Sequence, residues 1–361
     1  MSKESLIAFP AITVEGSAYE IGFGHGSQAK DKIRNTIGMY QSMFHDYAGV
    51  SWTEAKDKAK QYLDDIRKFD AELIEEMQGI ADGSGFELDD ICALNCRSEV
   101  VLSSGISDGC TSIAIAGENT NGEGPILAQN WDWKPSAQES LVILTIKQKH
   151  KPDIRMVTEA GIIGKIGMNS SGVGVCLNAL ATDTVQMQGI PIHILLRGIL
   201  NANTISEAVK LIIDNQLPGS ANFVLAHKNG EMMDVEMNQK QYEVINPVSG
   251  IVTHTNHFVG DRFRNSVKDK GASLLPDTYV RYRTISRIAA AHQHTFELEH
   301  VAAMLANHTE YPNSICRHED SSKTEEYQMA TLFSIIMKPL ESVMWVAGGS
   351  PCSHEYVRLN L

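Results

Sequence analysis

Up to about residue 105, apolar positions recur at helical spacing. One such run is IRNTIGMYQSMF, residues 33–44. A longer segment opens at Ser51 with Glu54 three residues on, the signature of a capping box, and carries Tyr62, Leu63, Ile66, Phe69, Leu73, Ile74 and Met77 along one face. A third helix, ELDDICALNCRSEVVL, follows the turn GSGF. After residue 110 the period shortens to two through CTSIAIA, PILAQNWDW, LVILTIKQ and DIRMVTE, and then GKIGMNSSGVGVCLNAL with its Asn-Ser-Ser-Gly turn. Helical pattern returns in PIHILLRGIL and ISEAVKLIIDN, strands from ANFVLAHKNGEMMDVEM to IVTHTNHF, helices from 278 to 307, and strands from QMATLFSIIMK to SVMWVAGG.

Strands joined by tight turns pair antiparallel, and the helices fall in pairs between groups of strands. The pattern predicts an α+β fold in which two antiparallel sheets pack together between helical layers, behind a helical N-terminal segment. A doubly wound parallel fold would alternate single strands with single helices throughout. No linker or low-complexity tract divides the 361 residues, so one compact domain is expected.

Composition narrows the function. A net charge of −13 gives no basic face for a phosphate backbone, so nucleic acid is not an expected partner. The N-terminus lacks a signal peptide's apolar region, no stretch is apolar enough to span a bilayer, and the C-terminal Leu-Asn-Leu is not a peroxisomal address. No membrane association and a cytoplasmic location are expected. The six cysteines then read as free thiols, with Cys92 and Cys96 on one buried helical face.

Cys110 stands apart because of its setting, SDGCTSIAI, with a glycine before it and a strand after it. If its sulfur attacks the Gly109 carbonyl, the amide becomes a thioester, and water then cuts the chain between Gly109 and Cys110. Glycine suits that position because no side chain blocks the attack. The cut would give Cys110 a free α-amino group, which titrates near ~7.7–8.0 and can serve as its base. The hairpin formed by CTSIAIA and PILAQNWDW brings Asp132 next to Cys110.

Asp-Gly-Cys-Thr-Ser (108–112), Gln-Asn-Trp-Asp (129–132), Asn-x-Arg-Ser-Glu (95–99) and YEIGFGHG (19–26) occur in an order that resembles the acyl-coenzyme A:6-aminopenicillanic-acid acyltransferase family, peptidase group C45 of the N-terminal-nucleophile hydrolases. The likeness runs from about residue 10 to beyond residue 345. It implies an inactive precursor that cuts itself before Cys110. Residues 1–109 become a retained helical pro-segment or α subunit, and 110–361 the core or β subunit. It also implies Cys110 as nucleophile, Asp132 positioning the amine or thiol, Asn256 donating to the oxyanion and Arg317 near the nucleophile. The arginine and asparagine are expected to depress the thiol pKa below its free value of ~8.5. Trp133 is a candidate wall of an acyl pocket.

The implied reaction is hydrolysis or acyl transfer on the amide or thioester bonds of small N-acylated compounds, including acyl-coenzyme A, without a cofactor. The loop between Cys110 and Asp132 is longer than in the family's penicillin enzyme, which with the C-terminus favours a related amide or peptide-like substrate and leaves a penicillin-type acyl-coenzyme A:6-aminopenicillanic acid acyltransferase as the alternative. Asn95, Arg97 and Glu99 read as a structural polar network, and His25 as a structural residue in a turn. His254, His257 and His318 are too few and too scattered for a metal signature, with no HExxH and no CxxC, so no metal is expected. Two other readings remain: a papain-like thiol hydrolase with an uncut chain and His254 or His257 as base, and an inactive binding protein of the same fold.

Overall fold

The chain is described from a computed structural model over residues 9–101, 108–183, 185–293 and 295–361. The first element is strand β1 (Ala11–Gly16), followed by helices α1 (Ala18–Gln28), α2 (Lys30–Ala48), α3 (Trp52–Lys60), α4 (Leu63–Phe69), α5 (Ala71–Ser84), α6 (Leu88–Asn95) and α7 (Arg97–Val101). Ser51 and Glu54 form the expected capping box on α3. The long segment behind them is three helices rather than one: α3 ends at the Gln61 cap, whose N–H turns back to the Lys58 and Ala59 carbonyls, and Asp70 is extended and caps α5 through Glu72. The third expected helix also breaks, at Cys96, into α6 and α7.

YEIGFGHG lies within α1, not in a turn. Its glycines serve a close helix crossing: a Cβ on Gly22 would sit 1.9 Å from the Glu76 carbonyl oxygen, and one on Gly26 2.3 Å from that of Ile80. Gly79 and Gly83 of α5 meet Tyr19 and Phe23 in the same way. Ser17 and Glu20 form the capping box that starts α1.

The second part of the chain contains β2 (Gly109–Ile115), β3 (Ile126–Trp133), β4 (Leu141–Gln148), β5 (Ile154–Glu159), β6 (Ile166–Asn169), β7 (Val173–Leu180), α8 (Ile192–Leu200) and α9 (Ile205–Asp214). It continues with β8 (Ser220–His227), β9 (Met232–Asn238), β10 (Gln241–Ile245), β11 (Ile251–His254), α10 (Asp261–Arg264), α11 (Gly271–Leu274), α12 (Asp277–Ala291) and α13 (Leu298–Leu305), then β12 (Ala330–Lys338), β13 (Val343–Ala347) and β14 (Val357–Asn360). The strands form an eight-stranded sheet, β1-β4-β5-β6-β7-β8-β9-β10, and a six-stranded sheet, β11-β2-β3-β12-β13-β14.

The two sheets pack face to face, with α12 and α13 over the smaller and α8 and α9 over the larger. Alternation in β2 and β3 sorts the side chains between layers. Ile113, Ile115, Ile126 and Ala128 join Ile285, Val301 and Leu305 under the helices, while Cys110, Ala114, Leu127 and Trp131 join the core between the sheets. This is the expected αββα sandwich, with one correction. β1 pairs parallel with β4, whereas all other named strand pairs are antiparallel. Seven helices separate β1 from β4, a crossover long enough for parallel pairing. The N-terminal segment therefore contributes a strand as well as helices, and buries Phe9, Ile12 and Val14 in the core.

Candidate active site

The β2–β3 register sets Gly109 opposite Asp132 and Cys110 opposite Trp131. On the other edge of β2, β11 pairs His254 with Ser112, so the chain leaving β11 carries Asn256 back to Cys110. Asn256 is fully buried. Its Oδ1 accepts the Cys110 backbone N–H at 2.8 Å and an Arg281 Nη2 donor at 3.0 Å, while its Nδ2 donates to the Ala179 carbonyl at 3.1 Å. Two donors at the oxygen and one acceptor at the nitrogen fix the orientation of the amide. In the continuous chain Asn256 thus grips the Gly109–Cys110 amide with its oxygen, and one of its two N–H donors goes to Ala179.

Arg281, which the sequence reading did not single out, is the arginine in contact with Cys110. It is fully buried, donates to the Cys110 carbonyl, and reaches Thr111 Oγ1 at 3.0 Å. One helical turn earlier on α12, Asp277 accepts from Arg281 Nε at 2.7 Å and also from Arg317 Nη2. That i, i+4 acid–arginine pair was the available sequence signal. Arg317 stands one step further from the thiol: its Nε donates to Asp132 Oδ2 at 3.3 Å and its Nη1 to Asn313 Oδ1 at 2.7 Å. Against burial, which pushes it up, Arg281 and Arg317 hold the Asp277 carboxyl below its ordinary value.

Asp132 is fully buried and accepts from Thr331 Oγ1 at 2.7 Å. Its carboxylate packs on the glycine: a Cβ at Gly109 would lie 3.0 Å from both Asp132 Cβ and Oδ2. Burial raises the Asp132 pKa, with Arg317 and Arg281 opposing.

Beneath Cys110, Asp108 accepts from Arg97 Nη2 at 3.2 Å and Trp131 Nε1 at 3.0 Å. Arg97 also approaches Glu159 Oε1 at 3.5 Å, and Glu159 takes Lys165 and the Tyr40 hydroxyl. Asn95 bridges Gly161 and Ile163, Glu99 accepts the Ile192 N–H, and His25 Nε2 accepts that of Gly161, so these three join Arg97 in the buried polar scaffold. Trp133 is part of it too. Its ring is fully buried under Arg97, 5.6 Å away, and beside Trp131, so it presents no surface to an acyl group in the continuous chain.

The thiol departs from expectation. Burial pushes Cys110 up to about 12, Asp108 and Asp132 add to the rise, and an Ala179 backbone hydrogen bond and Arg281 only partly oppose it. Removal from water outweighs one arginine, and Arg317 is committed to two carboxylates. With Cys110 only 1% exposed, the continuous chain holds a protonated, sheltered thiol. The histidines offered for a papain-like mechanism are tied elsewhere. His254 bonds Glu236 at 2.9 Å and the Thr255 carbonyl at 2.8 Å, and His257 bonds Thr278 Oγ1 at 2.9 Å. Burial, then His254 and Arg281, push His257 down to about 3.

A family model described as acyl-coenzyme A:6-aminopenicillanic acid acyl-transferase matches residues 119–352. The chain is 30% identical over 344 residues to the 40 kDa form of acyl-coenzyme A:6-aminopenicillanic-acid-acyltransferase of Emericella nidulans, covering 94% of this chain and 92% of that one. It is 23% identical over 242 residues to protein dcd1A of Dictyostelium discoideum, covering 56% and 52%. Among solved structures, a mutant conjugated bile acid hydrolase from Clostridium perfringens aligns at a TM-score of 0.47 with 13% identity, over 70% of this chain and 97% of that one. Penicillin V acylase from Agrobacterium tumefaciens aligns at 0.47 with 14% identity, over 70% and 86%. Matched over most of its length by the family model and by a curated relative, the chain belongs to the acyl-coenzyme A:6-aminopenicillanic acid acyl-transferase family.

Proposed function

We propose that this chain is the precursor of a thiol N-terminal-nucleophile enzyme that cuts itself between Gly109 and Cys110, then moves acyl groups from amide or thioester bonds of small N-acylated compounds to water or an amine. The observation that carries the reading is the grip on one buried peptide bond. Asn256 Oδ1 holds its N–H, Arg281 holds the next carbonyl, and Asp132 lies against the glycine Cα. In the cut, Cys110 Sγ bonds to the Gly109 carbonyl carbon, the C–N bond breaks, and the thiol proton ends on the departing nitrogen. Water then hydrolyses the thioester, leaving a Gly109 carboxylate and a free Cys110 thiol. The new carboxylate lies beside Asp132, and like-charge repulsion moves that end out and opens the site. Residues 1–109 stay bound because β1, Phe9, Ile12 and Val14 are built into the sandwich.

In turnover the α-amino group, held by Asn256 Oδ1 and near Asp132, is the base for Cys110. An acyl-enzyme forms on sulfur and is resolved by water or an amine, and the second N–H of the Asn256 amide, beside the one given to Ala179, is the donor for the oxyanion. We place the protein in the cytoplasm, where its free thiols stay reduced. The named reaction of the Emericella relative belongs in the assay panel, as acyl-coenzyme A with 6-aminopenicillanic acid, beside penicillins and N-acyl amino acids. The test is to trap fragment 110–361 with each donor and measure its mass. One acyl addition, located on Cys110 by peptide mapping of that fragment, supports the reading. Turnover without an acyl addition at Cys110 overturns it.

A further inference from the structure

On the far side of Arg317, His308, Cys316, His318 and Cys352 each offer one ligand atom, and the four atoms lie within 4.8 Å of one another. His318 Nε2 is the hub: it is 3.1 Å from His308 Nε2, 3.4 Å from Cys352 Sγ and 3.5 Å from Cys316 Sγ. As hydrogen bonds these contacts are over-subscribed, since one imidazole nitrogen has a single proton or a single lone pair to serve all three. We propose that these residues form a structural zinc site that fixes the segment carrying Arg317.

Zinc bonds of about 2.3 Å to sulfur and 2.0–2.1 Å to nitrogen place the ligand atoms of a tetrahedral site roughly 3.3–3.8 Å apart; the three His318 contacts already lie within tenths of an ångström of that spacing, and the wider separations among the other ligands, up to 4.8 Å, close by about 1 Å when the side chains turn toward the ion. Two thiolates and two neutral imidazoles are a zinc donor set, and their charges cancel that of the ion, so the site adds no net charge beside Arg317. The supporting shell is also present. The Tyr311 ring lies 5.8 Å from His308 and 5.2 Å from His318, the Cys352 backbone N–H donates to the Cys316 sulfur, and Cys316 N–H donates to the Asn307 carbonyl at 3.0 Å.

The ion would clip two segments far apart in sequence: the stretch from His308 to His318 after α13, and the turn at Cys352 between β13 and β14. Arg317 lies between two ligands, Cys316 and His318, and its N–H donates to Thr331 Oγ1 at 2.9 Å, so the clip sets the direction of its guanidinium toward Asp132 and Asp277. The ligands are spaced as His-x7-Cys-x-His-x33-Cys, with no close pair of the familiar kinds. For that reason the sequence pointed to no metal; of the three histidines it weighed, His318 lies in this cluster, while His254 and His257 belong to the Glu236 and Thr278 contacts.

Elemental analysis of the full-length protein, purified under reducing conditions without chelator, tests the proposal alongside Cys352→Ser and His308→Ala. One zinc per chain is expected, falling roughly tenfold or more in each variant, with cobalt(II) giving tetrahedral thiolate bands in the wild type only. A chelator should lower the melting temperature of the wild type more than that of the variants. Folded, reduced protein that holds no zinc and gives no such cobalt spectrum overturns the proposal, as does zinc retained in both variants or a Cys316–Cys352 disulfide in its place. None of these readings uses turnover, so the outcome is separate from that of the Cys110 mechanism.

Discussion

Replacing Arg281 with Gln removes the charged fork that holds the strand carrying Cys110. The guanidinium donates to the Cys110 carbonyl, to Thr111 Oγ1 at 3.0 Å, to Asn256 Oδ1 at 3.0 Å and to Asp277 at 2.7 Å. Each hydrogen bond from a charged group contributes about 1.5–3 kcal/mol, and the shorter Gln cannot satisfy this set. Asp277 keeps Arg317, so its buried carboxylate is not left without a cation. The loss at the reacting bond is then comparable to removing one preorganised donor, about 2.7–4 kcal/mol, which slows self-cleavage about 100- to 1000-fold. The assay follows intact mass after cell-free synthesis, with a thermal melt to establish that the variant is folded. Arg281→Lys keeps the charge but not the fork and should fall between the two. A folded Arg281→Gln protein that cuts at the wild-type rate refutes this reasoning.

Gly109→Val places a side chain where an added Cβ would lie 3.0 Å from Asp132, so the uncut precursor should accumulate. In that trapped precursor Cys110, at about 12 and 1% exposed, should resist iodoacetamide at pH 8. Peptide mapping that finds it alkylated as fast as in cut enzyme contradicts this. Against burial, Arg97 and Lys165 hold the Glu159 carboxyl down at about 2. A depressed carboxylate contributes stability that is complete above its unfolded pKa of ~4.3 and is lost as pH falls through the folded value. Glu159→Gln should therefore melt lower at pH 7 and show a flatter decline between pH 4.5 and 2, and an unchanged acid limb would count against it. Gly22→Ala puts a methyl 1.9 Å from the Glu76 carbonyl oxygen and should destabilise by about 1–3 kcal/mol, checked by denaturant melts. No change would mean that α1 and α5 separate freely.

The layers were legible because period-two alternation records which face of β2 and β3 meets the other sheet, and the hairpin turns record antiparallel neighbours. The parallel β1–β4 pair was not, since nothing local to Ala11–Gly16 reports a partner more than a hundred residues away. Helix boundaries at Asp70 and Cys96 were missed because apolar spacing continues through both, while cap geometry ends the helices. His25 was placed in a turn because glycines usually mark one, yet here they permit a tight helix crossing.

At the site, Gly109, Cys110 and Asp132 follow from hairpin register alone, which is a local property. Arg281 and the zinc ligands converge from distant segments, and spacing carries no trace of that. The thiol pKa was misjudged in direction because charge can be counted in a sequence, whereas desolvation of Cys110 depends on burial by two sheets.

The central claim is that Cys110 works as a chain terminus. N-terminal sequencing and intact mass of fully active enzyme test it directly: two associated fragments, the second beginning Cys110-Thr111-Ser112 with a free α-amine, are predicted. Full activity from a chain whose Gly109–Cys110 bond is unbroken would contradict it.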